Sequence, residues 1–171
     1  MAQRDVTNRD GRPTSPVLHP LEPEDIPRIA EWMAADDLWR RYGLTRETIA
    51  ADFERGLERG DLMFVVDAGT PARGFAWCLP NGMFGAFPYL KRLAVDPASA
   101  GQGLGGRLLD HLEQAVLAEQ RHELFLLVSD FNLAAQRFYR RHGYEEIGRV
   151  PELVLPGVAE LLFRKQLSRL A

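Results

Sequence analysis

The sequence predicts an α/β domain, a mixed β-sheet covered by helices on both faces. Three observations lead there. Residues 87–129 read as strand, glycine-rich loop, helix and the apolar run Glu123-Leu124-Phe125-Leu126-Leu127-Val128-Ser129. That is a βαβ unit whose second strand has the composition of one buried on both faces, and a right-handed crossover is expected of it. Ahead of it, Asp61 to Asp67 and Arg73 to Leu79 flank the turn Ala68-Gly69-Thr70-Pro71, which makes a hairpin. Behind it, Tyr144 to Val150 and Val158 to Lys165 are two further strand-length runs, separated by the loop Pro151 to Gly157.

Composition sets the bounds. A chain of 171 residues can bury about 70% of its unfolded surface, so it needs no covalent staples. Hydrophobic residues at 46% and charged residues at 26% are ordinary globular values. A net charge of −3 gives no reason to expect nucleic acid or an anionic membrane as a partner. Cys78 is the only cysteine, which excludes an internal disulfide and a cysteine-rich zinc site; no metal is expected. The N-terminus lacks a signal-peptide core, and no apolar run approaches the ~20 residues of a membrane span. A soluble, cytoplasmic protein is the expectation, and a homodimer is compatible with it.

Residues 1–16 are polar and proline-containing, a flexible N-terminal arm, and residues 17–171 form one domain. Val17 to Glu22 supplies a short first strand. Pro23-Glu24-Asp25 then opens a helix toward Asp37, with proline and acids where a helix start tolerates them. Ile26, Ile29, Ala30 and Met33 give it an apolar face. Thr45-Arg46-Glu47-Thr48 begins a second helix with half of a capping box, and Gly56 and Gly60 close it. Trp32, Trp39, Arg40, Arg41 and Tyr42 either line a substrate pocket or pack a helix–helix turn. Pro80-Asn81-Gly82 reads as a turn, and Phe87 to Val95 as the strand that enters the glycine loop. Leu104, Leu108, Leu109, Leu112, Val116 and Leu117 form the apolar face of the next helix, which ends near Arg121. The last helix runs from about Asn132 to His142 and stops at Gly143.

The loop Gly101-Gln102-Gly103-Leu104-Gly105-Gly106 has three readings beside that of a plain glycine-rich connection with no ligand. Glycine lets a backbone approach a ligand closely, and the N–H groups of a helix start suit phosphate. The loop formally satisfies the dinucleotide pattern, but five residues, Asp96 to Ala100, separate it from its strand, and the acid expected roughly 20 residues on is displaced to Asp130. The P-loop pattern fails at Arg107-Leu108, where Lys-Ser/Thr is required. In the third reading the backbone cradles the pyrophosphate of a coenzyme.

That third reading rests on a resemblance. Leu93-Ala94-Val95-Asp96-Pro97, followed by Gly101 to Leu109, resembles motif A of the GNAT superfamily of acyl-CoA-dependent N-acyltransferases. Asn132-Leu133-Ala134-Ala135-Gln136-Arg137-Phe138-Tyr139 resembles its motif B, in the family's order and spacing. The likeness covers about Val17 to Leu167. It implies the GNAT fold, a mixed central sheet flanked by helices and splayed near the glycine loop, with acetyl-CoA as cosubstrate and an amine as acceptor. Leu93, Ala94 and Val95 would hold the coenzyme by their backbone. Gly101, Gln102, Gly103, Leu104, Gly105, Gly106 and Arg107 would cradle its pyrophosphate. The family's polar first loop position falls on Ala100, so that task rests on backbone N–H groups and Arg107.

Asn132 and Tyr139 carry the chemistry downstream. Singly, Asn132 is a helix cap and Tyr139 a core aromatic. Seven residues apart, they project from one helix face at about 10.5 Å along the axis, with small Ala135 between them. That face suits a pantetheine arm, whose amides meet Asn132 and whose thiol meets Tyr139. The reaction is aminolysis of a thioester, with Tyr139 as general acid to the departing thiolate. Cys78, between Trp77 and Leu79, is a core residue. Asp130, Glu160, His19 and His142 are undistinguished candidates for the base. Arg137, Arg140 and Arg141 either reach coenzyme phosphate or form a solvated helix face. The acceptor is a small-molecule or protein amine. The rival from another class is a non-catalytic acyl-CoA sensor or interaction module on the same fold.

Overall fold

The computed structural model describes residues 15–168. Its strands are β1 (Val17–Pro20), β2 (Leu62–Ala68), β3 (Thr70–Met83), β4 (Phe87–Val95), β5 (Glu123–Ser129), β6 (Glu145–Pro151) and β7 (Ala159–Gln166). Its helices are α1 (Ile26–Ala35), α2 (Asp37–Arg41), α3 (Arg46–Arg59), α4 (Leu104–Ala118) and α5 (Leu133–Arg141). The arm expected over residues 1–16 lies, apart from Ser15 and Pro16, outside the described residues. The strands form one open sheet in the order β1-β2-β3-β4-β5-β7-β6. The β1/β2, β5/β7 and β6/β7 pairs are antiparallel and β4/β5 is parallel, so the sheet is mixed as expected. The fold is α/β.

By contacts the described residues divide into two compact units, one of those up to Trp77 with Arg92–His111, the other of Cys78–Lys91 with those from Leu112 on. In the first, alternation along β3 separates the helices. Phe75 and Trp77 face α3, where the Phe53 ring meets them at 4.9 and 4.8 Å. Gly74, on the opposite face, lies against Leu108 of α4. A Cβ at Gly74 would sit 2.9 Å from the Ala94 carbonyl and 3.1 Å from Leu108 Cδ1, so a side chain there would push α4 and the end of β4 away. α1 packs on α3, and its Ile29, Ala30 and Met33 are fully buried.

Local chemistry sets the ends of α3. The capping box is complete, because the Thr48 hydroxyl accepts from Thr45 N at 2.9 Å while the Thr45 hydroxyl accepts from Thr48 N at 3.3 Å. Threonine thus takes the role given to Glu or Gln in the usual pattern. Gly60 ends the helix in the left-handed conformation at φ 73°. Gly56 does not end it; it lies inside α3 beneath the Trp77 ring. The aromatic and basic stretch after α1 contains α2, a five-residue helix capped by Asp36.

In the second unit, β4 and β5 run parallel in the register Tyr89↔Phe125 and Leu90↔Leu126, while β7 pairs with β5 along its whole length. The turn expected at Pro80-Asn81-Gly82 is instead part of β3. Gly82 is there because a Cβ would collide with Leu79 and Tyr89 at 2.7 and 2.8 Å, a close approach only glycine permits. The reversal falls at Phe84 and Gly85, with φ of 54° and 70°. Arg121 braces the connection, donating to Ala86 O and Asn81 Oδ1 at 2.7 and 3.0 Å.

Candidate functional site

The first unit holds the strand end and glycine loop. Leu93, Ala94 and Val95 are apolar yet only half-buried. Asp96 fixes where the strand stops. Its Oδ1 accepts from Ala98 N at 2.9 Å, starting a short 3-10 turn over Pro97–Ser99, and its Oδ2 takes a hydrogen-bonded ion pair from Arg73. Its own N–H donates to Arg73 O at 2.8 Å. The strand end is therefore tied to β3 by backbone and charge together.

Past Ala100 the chain needs left-handed backbone twice, at Gly101 (φ 78°) and Gly103 (φ 73°). A Cβ at either would meet nothing within 4 Å, so conformation and not crowding demands glycine there. Gln102 is exposed between them. α4 starts at Leu104, whose side chain anchors it in the core. Its ladder begins with Arg107 N donating to Gly103 O at 3.2 Å, so the N–H groups of Leu104, Gly105 and Gly106 lie ahead of the ladder. Gly105 and Gly106 are half-buried helical residues. Arg107 is exposed, with no ion-pair partner among the described residues.

The second unit holds Asn132 and Tyr139. Asn132 is the N-cap of α5, at φ −85° and ψ 67°, with Oδ1 accepting from Ala135 N at 3.1 Å. It therefore stands just outside the helix whose face it was expected to share, and its Nδ2 donors have no partner among the described residues. Gln136, which sequence reasoning passed over, stitches the helix to the end of β5 by donating to Ser129 O and Asp130 O at 3.3 and 2.9 Å.

Tyr139 is 7% exposed and meets Tyr144 edge to face at 5.5 Å. Burial pushes its phenol above its ordinary value of 10.0, and Tyr89 adds to the shift. Tyr144 donates to Glu113 Oε1 at 2.9 Å, and Lys165 Nζ donates to Glu113 Oε2 at 2.6 Å. Burial, then the Glu113 charge, holds the Tyr144 phenol protonated as well. This buried chain backs Tyr139. It was legible in one signal, an acid at position 113 on the apolar stripe of Leu109, Leu112 and Val116.

The remaining candidates separate cleanly. Cys78 is a fully buried core residue. Arg140 is paired with Glu146 at 2.7 Å and lies over the Phe163 ring. Trp32 donates to Ala72 O at 3.0 Å and packs near Phe75, a structural role. Among the described residues no cluster of three metal-ligating side chains occurs, and no helix is long and apolar enough to cross a membrane.

Residues 58–146 match the profile described as the acetyltransferase (GNAT) domain, and the chain belongs to that family. A curated relative, the uncharacterized N-acetyltransferase YesJ of Bacillus subtilis strain 168, is 44% identical over 61 residues, 35% of this chain. That match spans only 33% of the relative's length. Among solved structures, YncA of Salmonella typhimurium with its cofactor acetyl-CoA superposes with a TM-score of 0.72 at 18% identity, covering 92% of this chain and 97% of that one. An aminoglycoside 6′-N-acetyltransferase complexed with coenzyme A gives a TM-score of 0.75 at 14% identity, covering 91% and 99%. At those identities the likeness is one of fold.

Proposed function

We propose that the chain transfers an acetyl group from acetyl-CoA to a primary amine by direct attack on the thioester. The observation that carries this is the head of α4. Two glycines held at positive φ turn the loop, helix N–H groups lie ahead of the ladder, and Arg107, in the first turn, has no ion-pair partner among the described residues. A cation at that end of a helix works against the dipole. A pyrophosphate bound there satisfies the cation, the dipole and the N–H groups together. Gly101 to Arg107 fit that group without the polar side chain that Ala100 lacks.

Acetyl-CoA supplies an activated acyl carbon; the chain's residues bind it, orient it and move protons. In this reading the backbone of Leu93, Ala94 and Val95 holds the coenzyme and polarises the acyl carbonyl. The Nδ2 of Asn132, without a partner among the described residues, donates to a pantetheine amide. Tyr139 gives its proton to the departing sulfur. A phenol whose burial disfavours the anion stays protonated at any working pH, and desolvation raises the proton affinity of a buried thiolate in the same way. The acceptor is an amine on a small molecule or a protein.

Calorimetric titration with acetyl-CoA tests the first half; no binding at millimolar ligand overturns it. A panel of peptide N-termini, lysine, polyamines, amino acids and aminoglycosides tests the second. Tyr139→Phe is expected to keep coenzyme affinity and lose turnover by ~10²-fold or more; unchanged turnover removes Tyr139 from the mechanism. Binding without turnover of any amine would favour a sensor.

A further inference from the structure

An amine that attacks a thioester arrives largely protonated near pH 7, so the reaction needs a group to take its proton. Four side chains stood level as candidates, and the structure separates them. His19 sits against two buried acids, with Nε2 3.4 Å from Asp67 Oδ1 and Nδ1 3.9 Å from Asp25 Oδ2, and Nδ1 is also 2.8 Å from Pro20 O. Asp130 binds Arg149 at 2.8 Å and Ala159 N at 3.3 Å through one oxygen, joining β6 and β7 to the loop before α5. His142 has Nδ1 2.8 Å from Phe138 O and its ring against the Phe138 ring at 4.3 Å. Those three hold structure together.

Glu160 is different. It is 4% exposed, and in the β5–β7 register it lies directly across from Ser129, the last residue of β5. Ser129 Oγ donates to its Oε1 at 2.8 Å. Its Oε2 has no donor among the described residues. Since none of their buried side-chain oxygens lacks a partner, that oxygen is not sealed from solvent. One oxygen is held and the other is presented, the arrangement of an oriented proton acceptor.

The faces of β7 agree. Leu161, Phe163 and Lys165 share one face, where Arg140 of α5 covers Phe163 at 5.3 Å and Lys165 reaches Glu113 of α4. By alternation Glu160 and Leu162 point from the other face. Its neighbours across the strands are Ser129 on β5 and Val150 on β6, so no other ionisable side chain shares its rung. Tyr139 belongs to the helix on the opposite face. Nucleophile and leaving group are different substituents of the acyl carbon, so a base on one face and an acid on the other can serve both without competing for one proton.

We propose that Glu160 is the general base of the transfer, with Ser129 as the residue that positions it. The proposal rests on the transferase reading above. The ammonium gives a proton to Glu160 Oε2, and the freed lone pair forms the C–N bond. The C–S bond breaks with its electrons on sulfur, which takes the Tyr139 proton. Glu160 then returns its proton to water; the nitrogen, positively charged once the C–N bond has formed, gives its second proton to water, and Tyr139 recovers one from water.

The test is Glu160→Gln, which preserves shape and the Ser129 contact. For any amine of the panel that the wild type acetylates, kcat is expected to fall by ~10²-fold or more at pH 7, with acetyl-CoA affinity unchanged by calorimetry. The deficit should shrink steadily as pH rises toward the amine's own pKa, because neutral amine needs no base; a merely structural defect would not show that trend. If the glutamine variant unfolds, Glu160→Asp, which keeps the charge and withdraws it by one methylene, should give a smaller loss with the same pH trend. A pH-independent deficit, or wild-type kcat, overturns Glu160 alone. Acetyl-CoA binding with no amine acetylated by the wild type overturns the transferase reading, and the base with it.

Discussion

Replacing Gly56 by alanine sets two effects against each other, and the structure decides which wins. Gly56 is the eleventh of fourteen residues in α3. Propensity favours alanine over glycine inside a helix by about 1 kcal/mol. A Cβ at Gly56, however, would stand 2.6 Å from Trp77 Cζ2, 3.1 Å from Cε2 and 3.2 Å from Met63 Cε, where ordinary contact begins at 3.4 Å. The indole has nowhere to go. It is fully buried, its Nε1 donates to Asp61 Oδ2 at 2.9 Å, Phe53 stacks on it at 4.8 Å and the Arg92 guanidinium lies over it at 5.3 Å. Overpacking a core that cannot yield costs roughly 1–3 kcal/mol, which outweighs the gain in propensity. Gly56→Ala is expected to destabilise by about 1 kcal/mol net, read as a lower urea midpoint with an unchanged slope. The decisive measurement repeats the substitution in a Trp77→Phe background. The colliding Cζ2 is then absent, and Gly56→Ala should become neutral or stabilising. A stabilised Gly56→Ala in the wild-type background would refute the packing argument outright.

Two further outcomes follow from the same reasoning. Gly103→Ala meets no atom, so its cost is the left-handed backbone alone, about 1–2 kcal/mol. Acetyl-CoA affinity should fall with it, and unchanged affinity by calorimetry would mean that the loop is not the cradle. Arg164 makes a two-pronged pair with Glu123, with Nη2 2.6 Å from Oε1, and holds that carboxyl below its ordinary value of 4.5. A lowered folded pKa adds stability that is present above 4.5 and lost as pH falls through the folded value. The stability gap between wild type and Arg164→Ala, followed by urea melts, should therefore be full at neutral pH and close in acid. A gap that persists in acid would assign the effect to packing of the arginine stem.

Legibility followed how local each determinant is. Phe87–Val95 and Glu123–Ser129 have the ends read from the sequence, because an apolar run bounded by a turn fixes a strand by itself. α4 buries the six side chains that the spacing selected. The failure at Pro80-Asn81-Gly82 shows the limit. Asn-Gly is the strongest hairpin dipeptide by residue type, yet here Gly82 serves a close strand approach and the reversal is made by Phe84-Gly85. Residue type gives what a dipeptide can do, and the neighbouring strand decides what it does. The site divides in the same way. Gly101, Gly103 and the Asn132 cap are local and were readable. The Tyr144–Glu113–Lys165 chain and the Ser129–Glu160 contact join residues 31 to 52 positions apart in sequence. Sequence could offer Glu160 only as one of four equal acids and histidines. What sets it apart is a hydrogen bond across a strand pair, and that pair exists only once β7 has been placed beside β5.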